Sequence, residues 1–368
     1  MRILIYCAHP AQYHFFKNII KKLVEKGHVI KLLIKTKDIL ETLVNEDGCE
    51  YENILARGNK NGFFPLLLAL IKRDLIIFSI ARKFKPDILI GSDASVTQVG
   101  WFMRKPRLIV GEDDYRIVKK LHWLMMPFAN AVLTPVGCQL GPFEGKKIAF
   151  DGYMKSSYLH PNIFRPDKKI IEEADLKTPY CLIRMVKLGS HHDNNKNGLS
   201  KEVVGKLVNF LKESGYNVYI DSETELHPEL AVHKLTIKKT SFHDVLAFSS
   251  LVISDSQSLS VEAALLGIPS IRFNDFAGKI SVLEELEHKY HLTFGIPSKD
   301  PNKLFVKVQE LLKNPRTNES FCLKKEKMLL EKINTTDFFV WFLDSFPDSL
   351  IKTRNRIADI EFMANIAV

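Results

Sequence analysis

Ser254-Asp255-Ser256-Gln257-Ser258-Leu259-Ser260-Val261-Glu262-Ala263-Ala264-Leu265-Leu266-Gly267-Ile268-Pro269-Ser270 is the stretch that decides how this chain is read. An apolar strand, Leu251–Ser254, ends in small hydroxyl residues and a helix, Ser258–Leu266, begins almost at once. Gly267 closes it, and Ile268-Pro269 turns the chain into a further strand, Ser270–Phe273. Strand, tight turn, helix and strand make a parallel βαβ unit. The first N–H groups of a helix have no partner inside it, and the helix dipole places positive charge there, so the turn is an anion site. Ser256 and Ser258 offer hydroxyl donors to a diphosphate, with Gln257 between them. Glu262, about one turn in, is spaced to accept from two ribose hydroxyls. The plainer alternative is that Asp255 or Ser258 only caps the helix. Glu262 and the Gly-Ile-Pro turn favour the ligand.

The same alternation runs outward in both directions. Towards the N-terminus, strands are expected at Ile3–Tyr6, Val29–Ile34, Tyr51–Ile54, Asp87–Ile90, Arg107–Val110 and Ala131–Thr134. Helices are expected at Gln12–Lys26, Asp38–Glu46 and Phe63–Phe84, with a turn-rich loop at 57–62. Residues 151–168 carry two prolines and no periodicity, and read as a linker. The pattern restarts with Tyr180–Met185, a polar loop Lys187–Gly198, a helix Ser200–Ser214, a strand Asn217–Asp221 and a short helix Phe242–Phe248. Helices fill most of the chain beyond Ser281. The expected architecture is therefore α/β: a domain over 1–150, a linker over 151–168, a domain over 169–334, and helices over 335–368 that pack back on the first domain. Both domains are expected to be Rossmann-like, doubly wound parallel sheets facing across a cleft. Ligands of such sheets bind beyond the carboxyl ends of the strands, so the residues just after strands are the candidates.

Composition narrows the class. With 46% hydrophobic and 26% charged residues over 368 positions, an ordinary two-domain globular chain is expected. Five scattered cysteines lack metal spacing and suggest neither a disulfide framework nor a zinc site. The opening MRILIYCAHP reads as a buried strand rather than a signal peptide. The apolar run Phe63–Phe84 is interrupted by Lys72, Arg73 and Asp74, so no membrane span is expected. A cytoplasmic location is the corresponding expectation. The net charge of +9 comes without any nucleic-acid module, which leaves phosphorylated small ligands and the inner face of a membrane as partners. Phe63–Phe84 is either a packed helix or an apolar, Lys/Arg-flanked face for peripheral membrane contact near a lipid-linked acceptor. Trp101–Lys105 and His122–Met126 add similar character.

Ser254–Ser270 resembles the nucleotide-diphosphate segment of GT-B glycosyltransferases and of the related UDP-N-acetylglucosamine 2-epimerases. In the epimerases it reads roughly D-S-G-G-x-x-E-E-A…G-x-P. Asp255, Ser256, Glu262, Ala263, Gly267 and Pro269 fall in step, while Gln257 and Ser258 replace two glycines. Arg272–Phe276 and Gly278-Lys279, with His14-Phe15-Phe16-Lys17, are similar to an uncharacterised prokaryotic family of glycosyltransferase-like proteins. The resemblance covers roughly Met1–Lys313. It implies the GT-B fold and use of a nucleotide sugar, UDP-linked, as substrate, with no separate cofactor and no metal. It also implies roles. His14, at the start of the first helix, matches the histidine base of many inverting GT-B enzymes, with His9 a weaker choice. Asp93 falls on the acid/base carboxylate of the epimerases' G-D-T segment, and Glu112 on the glutamate of their E-A-G segment. Gly189-Ser190-His191-His192-Asp193-Asn194 is similar to their G-H-R-R-E-N loop. A further glutamate in their P-E-E-x-N-R segment has no counterpart, since Lys119–Trp123 stands there.

The residues themselves support parts of this. A neutral imidazole at His14 can take a proton from an acceptor hydroxyl. Carboxylates at adjacent strand ends, Asp93 and Glu112, are expected to face each other and drive one pKa upward. Arg184 and Lys187, with His191 and His192, would meet a departing diphosphate. Glu112-Asp113-Asp114 is not expected to be a metal motif, nor is His191-His192-Asp193. The leading expectation is a glycosyltransferase for polysaccharide or glycoconjugate synthesis. The alternatives are an epimerase or hydrolase of nucleotide sugars using Asp93, Glu112 and His191 or His192, and a non-catalytic nucleotide-binding protein.

Overall fold

Strands buried on both faces need continuous apolar runs rather than alternation, and Arg2–Cys7 (β1) supplies one, buried at every position but the first. The computed structural model describes the chain except residues 37–38, 56–62, 187–197, 315 and 367–368, and side chains except also 55, 63–67 and 366. Two units emerge: residues 1–158 with 332–368, and residues 159–331.

In unit one, β1 is followed by α1 (Pro10–Glu25), β2 (Val29–Lys35), α2 (Leu40–Glu46), β3 (Tyr51–Leu55), α3 (Phe63–Phe84), β4 (Ile88–Gly91) and α4 (Ala94–Phe102). Then come β5 (Arg107–Val110), α5 (Tyr115–Met125), β6 (Ala131–Pro135) and β7 (Lys147–Phe150). Unit two holds β8 (Tyr180–Met185), β9 (Asn217–Ser222), β10 (Leu251–Ser254), β11 (Ser270–Phe273) and β12 (Thr293–Ile296), with helices that include Lys201–Glu213, Gln257–Leu266 and Ser281–His288. The chain then re-enters unit one through the helix Thr335–Asp344 and a two-residue strand, β13 (Ile357–Ala358).

Among the described residues the sheet of unit one runs β13-β7-β6-β5-β4-β1-β2-β3 and that of unit two β12-β11-β10-β8-β9. Every pairing is parallel. Both sheets reverse direction once. From β1 the chain builds outward to β3, then returns to place β4 on the other side of β1. From β8 it builds to β9, then places β10 on the other side of β8. These reversals are topological switch points, where the loops leaving two neighbouring strands diverge and open a crevice. Gly91 tightens the first, because a Cβ there would sit 2.7 Å from the Tyr6 carbonyl oxygen on β1.

The C-terminal helix is tied to α1 by apolar and ionic contacts. Phe15 meets Phe339 edge-on at 4.9 Å, Lys22 pairs with Asp337 at 2.6 Å and Lys26 with Asp344 at 2.8 Å. Phe338, Phe339 and Phe342 are fully buried, each worth about 2 kcal/mol in transfer terms.

The linker expected over 151–168 is corrected in its first half. Tyr153, Tyr158 and Leu159 are buried, and groups 179 residues apart are joined: Ser156 Oγ donates to Thr335 Oγ1 at 2.7 Å, and Thr336 Oγ1 donates to the Ser157 carbonyl at 2.9 Å. Gly152 permits that approach, since a Cβ would lie 2.9 Å from Thr335 Oγ1. The unit boundaries fall at 158/159 and 331/332. β7, β12 and β13, with α4 and α5, are additions to the expected elements. Asp38 and the loop 57–62 lie outside the described residues.

Candidate functional site

The switch point of unit two lies between β8 and β10, and the helix Gln257–Leu266 starts there. Ser256 is its N-cap, with its Oγ accepting from the Leu259 N–H at 3.4 Å, and the Ser256 N–H donates to Ser254 Oγ at 2.8 Å. The cap is thus Ser256, not Asp255 or Ser258. Among the described residues the N–H groups of Gln257 and Ser258 form no hydrogen bond. Ser258 is exposed and Gln257 half-buried, so this end of the helix is open to a ligand.

Asp255 has a different task. Its side chain is buried, with Oδ1 accepting from the Val186 N–H at 2.8 Å and Oδ2 from the Leu199 N–H at 3.3 Å. It therefore ties together the two flanks of the loop that leaves β8. Burial pushes its pKa up to about 6, against the pull of those two amides. Asn274, fully buried, donates to the Asp255 carbonyl at 2.8 Å and accepts from the Phe276 N–H at 2.9 Å, which fixes the neighbouring turn after β11.

Glu262 is partly buried, with its carboxylate 3.6 Å from His243 Nε2. Arg184, expected at the diphosphate, is held by Asp221, lies 2.9 Å from Glu223, and packs over the Phe242 ring at 5.2 Å. Asp221 also takes Lys239 at 2.6 Å. Lys187, His191, His192 and Asp193 lie outside the described residues.

In unit one the expected residues line the carboxyl edge of three adjacent strands, β1, β4 and β5. His9 caps α1, its Nδ1 accepting from the Ala11 N–H at 3.2 Å. His14 comes next on α1, its ring 5.2 Å from that of Tyr158. Asp93 caps α4 by accepting from the Ser95 N–H at 2.9 Å and pairs with Arg73 of α3 at 3.1 Å. Arg73 also donates to Ser95 Oγ at 2.7 Å. Asp74, beside it, has a carboxyl pushed above the usual range by burial. Glu112 pairs with Lys155, which is 7% exposed, and its second oxygen is buried without a hydrogen bond. Asp93 and Glu112 are thus each paired with a cation of their own. Neither cation was legible in the sequence. Arg73 comes from the middle of α3, and Lys155 from the segment read as linker.

The one group among the described residues with metal-ligand spacing is Glu284, Glu287 and His288. Arg272, fully buried, lies 3.2 Å from Glu287 and 3.9 Å from Glu284. The Arg272 guanidinium already brings one positive charge to these two carboxylates.

No protein-family profile matches the sequence. No curated protein sequence matches it either. Solved structures do match in fold. The UDP-GlcNAc 2-epimerase from Neisseria meningitidis, bound to UDP-GlcNAc, superposes with a TM-score of 0.66 at 12% identity, covering 96% of this chain and 100% of that one. The S. aureus MnaA–UDP co-structure gives 0.69 at 10% identity, covering 95% and 97%. The Streptomyces sp. SF2575 glycosyltransferase SsfS6 gives 0.58 at 11% identity, covering 94% and 100%. The chain has the GT-B fold shared by these epimerases and glycosyltransferases.

Proposed function

We propose that this chain is a glycosyltransferase that uses a nucleotide-diphosphate sugar, UDP-linked, in polysaccharide or glycoconjugate synthesis. The observation that carries the reading is the helix start at Gln257–Ser258, whose two amides have no hydrogen-bond partner among the described residues and sit at the switch point of unit two. There the amides and the Ser258 hydroxyl donate to the diphosphate oxygens, and Glu262 takes the ribose hydroxyls. Unit one handles the acceptor. His14, or Asp93 oriented by Arg73, takes the proton from an acceptor hydroxyl. The acceptor oxygen bonds to the anomeric carbon as the carbon–oxygen bond to the diphosphate breaks, and the diphosphate leaves with the electron pair. The helix start and the basic residues after β8 (Lys187, His191 and His192) stabilise its charge, so the chemistry needs no metal.

A second reading is a nucleotide-sugar epimerase or hydrolase. Asp93 and Glu112 come directly after adjacent strands, and solved epimerases share the fold. Purified protein incubated with UDP-GlcNAc and no acceptor separates the two. An unchanged nucleotide sugar, together with a UDP-induced rise in melting temperature, supports the transferase. Net formation of the 2-epimer or of free UDP overturns it in favour of the second reading. No shift with any nucleotide diphosphate overturns both.

A further inference from the structure

The outer faces of α3, α4 and α5 carry large apolar side chains that the fold leaves uncovered. Leu68, Ile71 and Leu75 recur at helical spacing along α3 and are all exposed, Leu75 at 64%. The opposite stripe of the same helix, Ile77 and Ala81, is fully buried. The two readings of this helix therefore apply to different faces of it. At the end of α4, Phe102 is 69% exposed and touches Phe78 of α3 edge-on at 5.3 Å. Trp101 beside it is exposed too. On α5, Trp123 is 57% exposed and Leu124 40%. Gln98 of α4 donates to the Leu124 carbonyl at 3.1 Å, which holds these two helices side by side.

Scattered exposed leucines need no explanation, but aromatic and aliphatic side chains from three adjoining helices form a patch that does. Its charge is one-sided. α3 exposes Lys72, Arg82 and Lys83 against a single acid, Asp74, which is partly buried, while its Arg73 is taken up by Asp93. α5 carries Arg116, Lys119 and Lys120 and no acid, and α4 has no charged residue. Arg104, just past α4, is also partly exposed.

We infer that this face of unit one docks on an anionic lipid surface. The apolar side chains insert among the acyl chains, and the lysines and arginines around them meet the headgroup phosphates. A protein partner of equal hydrophobicity would not require the surrounding charge to be of one sign. The tryptophan and arginine content also suits the interfacial layer, where an apolar body and a polar tip are both accommodated. If the proposed transfer holds, this surface would bring unit one to an acceptor carried on a lipid. The docking itself does not depend on that chemistry.

The test is sedimentation of the full chain with vesicles, with no nucleotide present. Phosphatidylglycerol–phosphatidylcholine vesicles are compared with phosphatidylcholine alone. Binding is expected to the anionic vesicles and to fall steeply with salt. Leu75→Glu with Trp123→Glu, and separately Lys119→Glu with Lys120→Glu, should each lower partitioning about tenfold or more. Leu75, Lys119 and Lys120 face solvent, Trp123 is partly exposed while its Nε1 donates to the Tyr115 hydroxyl, and a folded thermal transition verifies that each variant folds. Equal binding to neutral vesicles, or wild-type binding by both variants, overturns the proposal. So does a concentration-dependent dimer of the wild type that the same substitutions abolish, since a second copy would then be the occupant. UDP-induced thermal shifts on the same variants should stay at the wild-type value, which keeps failure here distinct from failure of the transferase reading.

Discussion

The carboxyl edges of the two sheets share one topological plan and carry different chemistry. In unit one the residues after β1, β4 and β5 are titratable, and each carboxylate faces a cation brought from elsewhere in the chain: Arg73 for Asp93, Lys155 for Glu112. In unit two the residues after β10 are small hydroxyls, one buried acid and two amides with no partner among the described residues. The first edge holds localised charge ready to orient or move a proton. The second presents the N-terminal start of a helix. Within one fold, the residues placed at the strand ends decide the ligand.

The largest expected effect is at the first edge. Lys155→Met leaves Glu112 beside a buried position with no counter-charge, and should cost about 3 kcal/mol in urea unfolding. Adding Glu112→Gln should recover most of that loss. A cost near zero for Lys155→Met would mean that the pair does not organise this edge.

Next comes the pH response of the second edge. The folded pKa of Asp255, about 6, lies above its ordinary value of 3.8, so the native state binds the proton more tightly than the unfolded chain. Its contribution is fully present below the ordinary value and is lost as pH climbs to about 6. Relative to Asp255→Asn, the wild type should lose about 2–3 kcal/mol between those limits, and the difference should be flat above them. A difference that does not vary with pH would show the carboxyl to be unperturbed. A smaller change is expected for Ser256→Ala, about 1 kcal/mol from the lost cap. Ser258→Ala should change stability by less than about 0.5 kcal/mol while weakening UDP binding in calorimetry. If Ser258→Ala binds UDP like the wild type, its hydroxyl is not part of the site.

The same contrast marks how far the sequence could be read. β5, β8, β10 and β11 match their expected limits residue for residue, because each is short and set off by turn residues, even though β11 buries Arg272 within it. β7 and β12 are four residues long with only half their positions fully buried, and β13 has two residues, so periodicity had little to work on. Candidate residues at the strand ends were visible from local pattern alone. Their partners were not. Arg73 lies 20 positions before Asp93, and Lys155 lies 43 after Glu112, in a segment whose prolines and serines look like a linker. Its first half is buried with Thr335 and Thr336 bonded to the Ser156 hydroxyl and to the Tyr153 and Ser157 carbonyls, a pairing that exists only once the helix Thr335–Asp344 has joined unit one. The capping role of Ser256 likewise falls between the expected Asp255 and Ser258. Asp255 was instead drawn to amides 69 and 56 positions earlier in the chain.

A crystal structure of the chain grown with UDP tests the central claim most directly. The diphosphate oxygens should lie about 2.7–3.2 Å from the amide nitrogens of Gln257 and Ser258, with the ribose hydroxyls against Glu262. UDP bound elsewhere, with those two amides still unpartnered, would contradict it.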